Sequence, residues 1–150
     1  MKRLTTVLFI LLTFEVMAQS VKTEKQANST LFDRLGSTVG ITAIVDDVIA
    51  AHMANPVISA RFEPYKTQPE RFSKIRQHTI DFFSAGGGGP IQYTGRDMPT
   101  THNGMNISAA EYMAAVDDIM GVLEKHKTDE QSKKDVLAIV WSLKGLIIGK

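Results

Sequence analysis

From Leu31 onward, apolar residues recur with the period of a helix. Ile41, Ile44, Val45, Val48, Ile49 and His52 fall at offsets 0, 3, 4, 7, 8 and 11, which sets them on one face. Asn55-Pro56 should end that run, because proline cannot continue the backbone ladder. Phe72, Ile75, Thr79, Phe82 and Phe83 mark a second such face. Ser108-Ala109-Ala110-Glu111 has capping-box spacing and opens a third run through Tyr112, Val116, Ile119, Met120 and Leu123. A fourth extends from Asp135 to about Ile148 and carries Val136, Leu137, Val140, Trp141, Leu143 and Ile147. No stretch alternates at period two and no internal repeat is visible. The pattern predicts an all-α domain with four substantial helices and shorter pieces between them.

Two segments stand outside this pattern. Residues 1–18 begin with Lys2 and Arg3, continue through the apolar run Leu4 to Phe14, and end in small residues near Ala18. That is the layout of a secretory signal peptide cut within Val16-Met17-Ala18 before Gln19. The apolar run falls short of the roughly 20 residues of a membrane helix, so no stable membrane anchor is expected after cleavage. Residues 19–30 are polar without periodicity and read as a flexible leader. The expected division is therefore signal peptide 1–18, leader 19–30 and domain 31–150, in a protein exported to the periplasm.

Charge and cysteine content remove whole classes of function. The chain has 17 basic and 16 acidic residues; without residues 1–18, which hold Lys2, Arg3 and Glu15, 15 of each remain. A neutral chain lacking a basic stripe with interleaved aromatics is not built for nucleic acid. There is no cysteine, which excludes disulfides, thiolate metal sites, a cysteine nucleophile and cysteine-linked haem. The remaining 132 residues suffice for one domain, stabilised by its core or by its core and a bound group.

The stretch from Phe82 to Gly95 carries the candidate chemistry. Gly86 to Gly89 and Pro90 follow an apolar helical face and read as a loose hinge, leading through Tyr93-Thr94-Gly95 to Arg96-Asp97-Met98-Pro99-Thr100-Thr101-His102. Pro99 suits the first turn of a helix and Asp97 or Met98 can cap it, so His102 would end about one turn. His52, His78 and His126 form no close pair with one another, and no cluster has zinc spacing. Haem is the ligand for which a single presented histidine suffices, because the porphyrin supplies four nitrogens itself.

Leu31-Phe32-Asp33-Arg34-Leu35-Gly36, the helix ending at Asn55-Pro56, Phe82-Phe83, the Gly-Gly-Pro hinge, Tyr93 to Met98, and His102-Asn103-Gly104 followed by Ile107 together resemble the truncated haemoglobins of group I. The likeness runs from Leu31 to Gly149. It implies a two-over-two helical sandwich around haem b, with His102 as proximal iron ligand on an F helix reduced to one turn. It further implies a cofactor-facing set of Phe62, Ile75, His78, Thr79, Phe82, Phe83, Met98, His102 and Ile107, and a distal pocket of Ile49, Ile75, His78 and Thr79. Where relatives that bind oxygen tightly carry a tyrosine and a glutamine, this chain has Ile49 and Thr79; Ser37 stands where a second glycine is usual. His78 matches a histidine that in some members binds the iron from the distal side, and its alternative is pairing with a propionate at the haem edge.

Blander readings apply to other residues. His52 reads as a packed structural histidine, His126 as a solvated loop residue, and Trp141 as core. Met98, Met105, Met113 and Met120 read as gap fillers. Lys66, Lys74 and Arg76 are candidates to meet propionates. The resemblance implies reversible binding of a diatomic gas, O2, NO or CO, or nitric oxide scavenging with an external reductant. A redox protein with two axial histidines and a separate reductase or electron partner is the alternative, and a haem-free bundle is a third. The distal segment offers no arginine and histidine pair for efficient peroxide cleavage, and the chain contains no flavin or nicotinamide domain.

Overall fold

The computed structural model describes residues 29–150; the expected signal peptide and nearly all of the expected leader lie outside the described residues. The chain forms α1 (Leu31–Arg34), α2 (Ser37–Ala54), two 3-10 turns (Ser59–Arg61 and Glu63–Thr67), α3 (Pro69–Gly86), α4 (Met98–His102), α5 (Ala109–Lys125), α6 (Glu130–Ser142) and α7 (Lys144–Ile147). Among the described residues the only extended pairing is an isolated parallel bridge between Ile107 and Ile148.

The starts of these helices follow from their first residues. Thr30 caps α1 and Ser108 caps α5, each in a reciprocal capping box with Asp33 or Glu111, while Asp97 and Asp129 cap α4 and α6. Helix α2 packs against α3 on one side and α5 on the other, and α5 packs on α6. Ile41 and Val45 of α2, Ile80 of α3, Tyr112, Val116 and Leu123 of α5, and Val136 and Val140 of α6 form the buried core. Each such aliphatic side chain contributes about 1.5–3 kcal/mol on burial. Helix α1 plugs one end through Leu31, Phe32 and Leu35, and Arg34 fastens it to Ser132 and Asp135 of α6.

The elbow between α1 and α2 is unusually close. Gly36 has φ +86°, and a Cβ on Gly40 would lie 2.0 Å from the Leu35 carbonyl oxygen. Ser37 has φ +57°, so the serine at the position expected to favour glycine does adopt the left-handed backbone. Ser37→Gly should raise stability by about 0.5–1 kcal/mol, relief of the left-handed strain outweighing the extra entropy of the unfolded chain. Urea unfolding of the two proteins would show it, and a lower midpoint for the variant would refute it.

Four expectations need correction. The hinge is not loose: α3 continues through Gly86, and the following glycines clamp onto α1. Phe32 N–H donates to the Gly87 carbonyl at 2.8 Å, Gly88 has φ +81°, and a Cβ on Gly89 would come within 2.5 Å of the Phe32 ring. The glycines permit a close backbone approach rather than free movement. The last helix starts at Glu130, well before Asp135, and stops at Ser142. There the Val140 carbonyl accepts from both Leu143 N–H and the Tyr112 hydroxyl, tightening the final turn before α7 begins. Trp141 is not core. The inward stripe of α6 is Ser132, Val136 and Val140, which leaves Trp141 49% exposed with the Lys144 ammonium 4.5 Å from its ring. Met113 likewise stays on the surface.

Candidate functional site

The approach to α4 is built from local chemistry. Tyr93 folds over Gly95, where a Cβ would lie 2.3 Å from the tyrosine oxygen, and its hydroxyl donates to the Arg96 carbonyl at 2.8 Å. Asp97 then accepts from Thr100 N–H at 2.7 Å, and Pro99 occupies the first turn. His102 ends the single turn, half-buried, with Nδ1 2.9 Å from the Met98 carbonyl oxygen. A carbonyl oxygen only accepts, so Nδ1 carries a proton, and in the neutral ring Nε2 is the nitrogen with the lone pair. Nε2 has no hydrogen-bond partner among the described residues.

The segment after His102 is held from two sides. Met105 N–H donates back to the His102 carbonyl at 3.0 Å. Asn106 N–H donates to the Lys150 carbonyl at 2.6 Å and Gly149 N–H to the Ile107 carbonyl at 2.9 Å, so the C-terminus straps this segment in place. From the other side Arg61 donates to the Met105 carbonyl at 2.7 Å and, through a fork, to Glu111 at 2.7 and 3.1 Å. The Arg61 guanidinium, helped by the Ser108 N–H, holds the Glu111 carboxyl down at about 2, so the pair is ionised at any physiological pH.

The other expected site residues come from α2, α3 and the corner between them. Ile75, His78, Thr79, Phe82 and Phe83 all lie on α3. His78 is exposed, its ring edge-on to Tyr93 at 6.2 Å, and Phe82 meets the same Tyr93 ring at 5.5 Å and Phe83 at 5.8 Å. The Thr79 hydroxyl donates to its own helix at the Ile75 carbonyl, 2.9 Å away, so its proton is already engaged. Ile49 is partly buried against the core and Ile107 is buried, while Met98 is half-buried beside His102.

Phe62 lies at the end of the first 3-10 turn, its ring tilted against His52 with centroids 5.8 Å apart. His52 is packed between α2 and α5, with Nδ1 2.9 Å from Asp118, and Asn55 donates to the other oxygen of that carboxylate at 2.9 Å. Burial pushes the His52 imidazole below its ordinary pKa, against the opposing pull of Asp118.

His126 departs from its expected solvated role. It caps the end of α5, partly buried, with Nε2 2.6 Å from Asp47, whose carboxylate also receives Lys125. Of the cations proposed for propionates, Arg76 is engaged by Asp46 at 2.5 and 2.8 Å and Lys66 by Glu63 at 2.6 Å. Lys74 makes no ion pair among the described residues. No group of three or more His, Asp or Glu side chains among the described residues is placed to hold a metal ion by itself. Arg61 and Tyr93, which brace the segments after and before α4, were not marked as site residues by sequence. Arg61 has partners remote in sequence, at Met105 and Glu111, for which no single-residue signal exists.

The paired helices α2 with α3 and α5 with α6, and the one-turn α4 that ends in a histidine, form an arrangement this chain shares with solved two-over-two globins. The solved truncated hemoglobin from Tetrahymena pyriformis shares this fold, with a TM-score of 0.72 at 19% identity over 81% of this chain and 100% of its own. The 2/2 hemoglobin from Synechococcus gives 0.69 at 19% identity, over 77% and 94%. In sequence, the chain is 26% identical over 122 residues to the group 1 truncated hemoglobin GlbN of Nostoc sp., covering 81% of this chain and 99% of that one. The corresponding GlbN of Mycolicibacterium paratuberculosis is 20% identical over 116 residues, covering 77% and 82%. Residues 30–148 match the family of bacterial-like globins, and the chain belongs to that family.

Proposed function

We propose that this globin binds haem b through Nε2 of His102 and reversibly takes up a diatomic gas, O2, NO or CO. The observation that carries the reading is the His102 Nδ1–H bond to the Met98 carbonyl at 2.9 Å, which leaves Nε2 as a bare nitrogen donor. An outer hydrogen bond of this kind fixes the tautomer and ring orientation of a metal-ligating histidine. When bound, haem b supplies an iron centre with one position open to a gas.

The other roles are assigned to this chain's side chains. Phe62, Ile75, Phe82, Phe83, Met98 and Ile107 provide apolar lining that excludes water. Ile49 offers no hydrogen-bond donor, and the Thr79 proton is engaged by Ile75, so a bound gas gains little polar stabilisation from either. That pattern suits moderate rather than very tight oxygen affinity. His78 is assigned as a displaceable distal ligand, with Tyr93 edge-on to its ring. If it ligates, apparent gas affinity falls by the fraction of protein in the open state. Export to the periplasm, argued from Lys2, Arg3 and the apolar run behind them, is part of the same proposal.

The donor-poor distal side also supports a second reading, an extracytoplasmic electron carrier or reductant of peroxide or nitrogen oxides with both histidines engaged. It requires a separate reductase or electron partner. Absorption spectra of residues 19–150 loaded with haem, reduced and free of gas, test His78 directly. A six-coordinate, low-spin spectrum that becomes five-coordinate in His78→Ala supports distal ligation. Identical five-coordinate spectra remove His78 from the iron, leave it open to direct gas binding or gas chemistry, and sink the electron carrier with two axial histidines.

A further inference from the structure

Arg61 lies in the short turn between α2 and α3 and reaches two segments remote in sequence. Nε and Nη2 fork onto the Glu111 carboxylate at 2.7 and 3.1 Å, and Nη1 donates to the Met105 carbonyl at 2.7 Å. Glu111 is a firm base for this fork. It accepts from Ser108 N–H at 2.8 Å, while its own N–H donates to the Ser108 hydroxyl at 3.2 Å, so it is tied to the first turn of α5. Met105, the other end, donates to the His102 carbonyl at 3.0 Å. Two hydrogen bonds therefore separate the guanidinium from the backbone of the histidine.

The segment being held is one that gains from being held. Gly104 has φ +79° and Asn106 has φ +46°, so the chain between His102 and Ile107 bends through two left-handed residues. A non-glycine residue in that region persists when its surroundings over-determine it. The C-terminal strap supplies one constraint, through Asn106 and Ile107, and Arg61 supplies the other, through Met105. Phe62 directly follows Arg61, so the same turn carries the aromatic residue assigned to the pocket wall.

We propose that Arg61 is a positioning residue for His102: it locks the turn bearing Phe62 to the Met105 carbonyl and so sets the depth and tilt at which Nε2 is presented. The inference rests on the reading of His102 as the iron ligand. A planar guanidinium can satisfy the Glu111 carboxylate and the Met105 carbonyl together, because its donors form a fixed fork. A lysine ammonium is a point charge on a flexible stem and cannot reproduce both bonds in that geometry.

The test uses the haem-loaded protein carrying His78→Ala, so that the reduced iron is five-coordinate whatever His78 does. The iron–histidine stretching band is recorded by resonance Raman for this parent, for Arg61→Lys, for Arg61→Met and for Glu111→Gln. Transfer of haem to excess apomyoglobin and amide exchange at Gly104, Met105 and Asn106 in the haem-free proteins are measured alongside. Both Arg61 variants should shift or split the band and release haem about 10-fold faster, the scale seen when outer-shell partners of a metal ligand are removed. Their amides at Met105 and Asn106 should exchange faster. Glu111→Gln, which leaves the Met105 bond, should lower thermal stability and keep the band in place.

Arg61 variants with lowered stability but an unmoved band and unchanged haem transfer would overturn the proposal, making Arg61 a strut and nothing more. Arg61→Lys keeps the charge, so it remains readable if Arg61→Met folds poorly. A parent without any iron–histidine band overturns the assignment of His102 itself, which separates that failure from the failure of Arg61.

Discussion

His102→Ala is expected to lose stable haem while keeping its fold. The side chain sits half-buried at the end of a one-turn helix, and its one hydrogen bond, to the Met98 carbonyl, is worth on the order of 1 kcal/mol. The helices that carry the core do not depend on it, so far-ultraviolet circular dichroism of the haem-free variant should match that of the unaltered protein. What disappears is Nε2, and no other histidine occupies its place: His52 is engaged by Asp118, His126 by Asp47, and His78 lies on α3 beside Tyr93. The variant should emerge from a desalting column without a Soret band, and added imidazole should restore part of it. A His102→Ala protein that retains haem with an unchanged proximal signature would refute the assignment.

Gly40→Ala costs about 3 kcal/mol and brings the urea midpoint down sharply. The added methyl would lie 2.0 Å from the Leu35 carbonyl oxygen and 2.9 Å from its carbon, both backbone atoms that cannot swing aside. Relief requires α1 and α2 to separate at their crossing, which is overpacking of the most damaging sort. Gly86→Ala is the matched control, since a methyl there meets nothing within 4 Å at the last turn of α3. Alanine is also the better helix former, by up to about 1 kcal/mol, so that change should be neutral or stabilising. Equal losses for the two variants would show that the elbow tolerates separation and that glycine is not required at position 40.

Helical period located α2 and α5, each of which buries a stripe, and found α3 as a helix although its expected face of Phe72, Ile75, Thr79, Phe82 and Phe83 is only partly buried and the residues it buries are Ile80 and Ser84; Asn55-Pro56 and the Ser108 box mark ends by chemistry confined to neighbouring residues. The same signal failed on α6. Leu137 and Trp141 are as apolar as the inward Val136 and Val140, and hydrophobicity alone does not report which of two adjacent stripes faces in. The break at Ser142 was hidden too, since it depends on a hydroxyl from Tyr112 on another helix. The family likeness brought His102, His78 and the pocket residues to notice and flagged Ser37, whose positive φ explains why glycine suits that position. It did not expose the purpose of Gly87 and Gly89, whose partner is Phe32, nor the bonds of Arg61 to Met105 and Glu111. Such partners lie more than forty residues away, and one sequence without relatives beside it does not disclose them.

The C-terminal strap has a consequence in time. A chain leaves the ribosome from its N-terminus, and the helices holding Ile49, His78 and Phe82 are made well before residues 148–150, which pair with Asn106 and Ile107. The pairing of α2 with α3 can thus form while the segment after His102 still lacks its closing contacts. Residues 148–150 follow in the chain every element they close over, so the clasp on Asn106 and Ile107 is the last of these described contacts to become available.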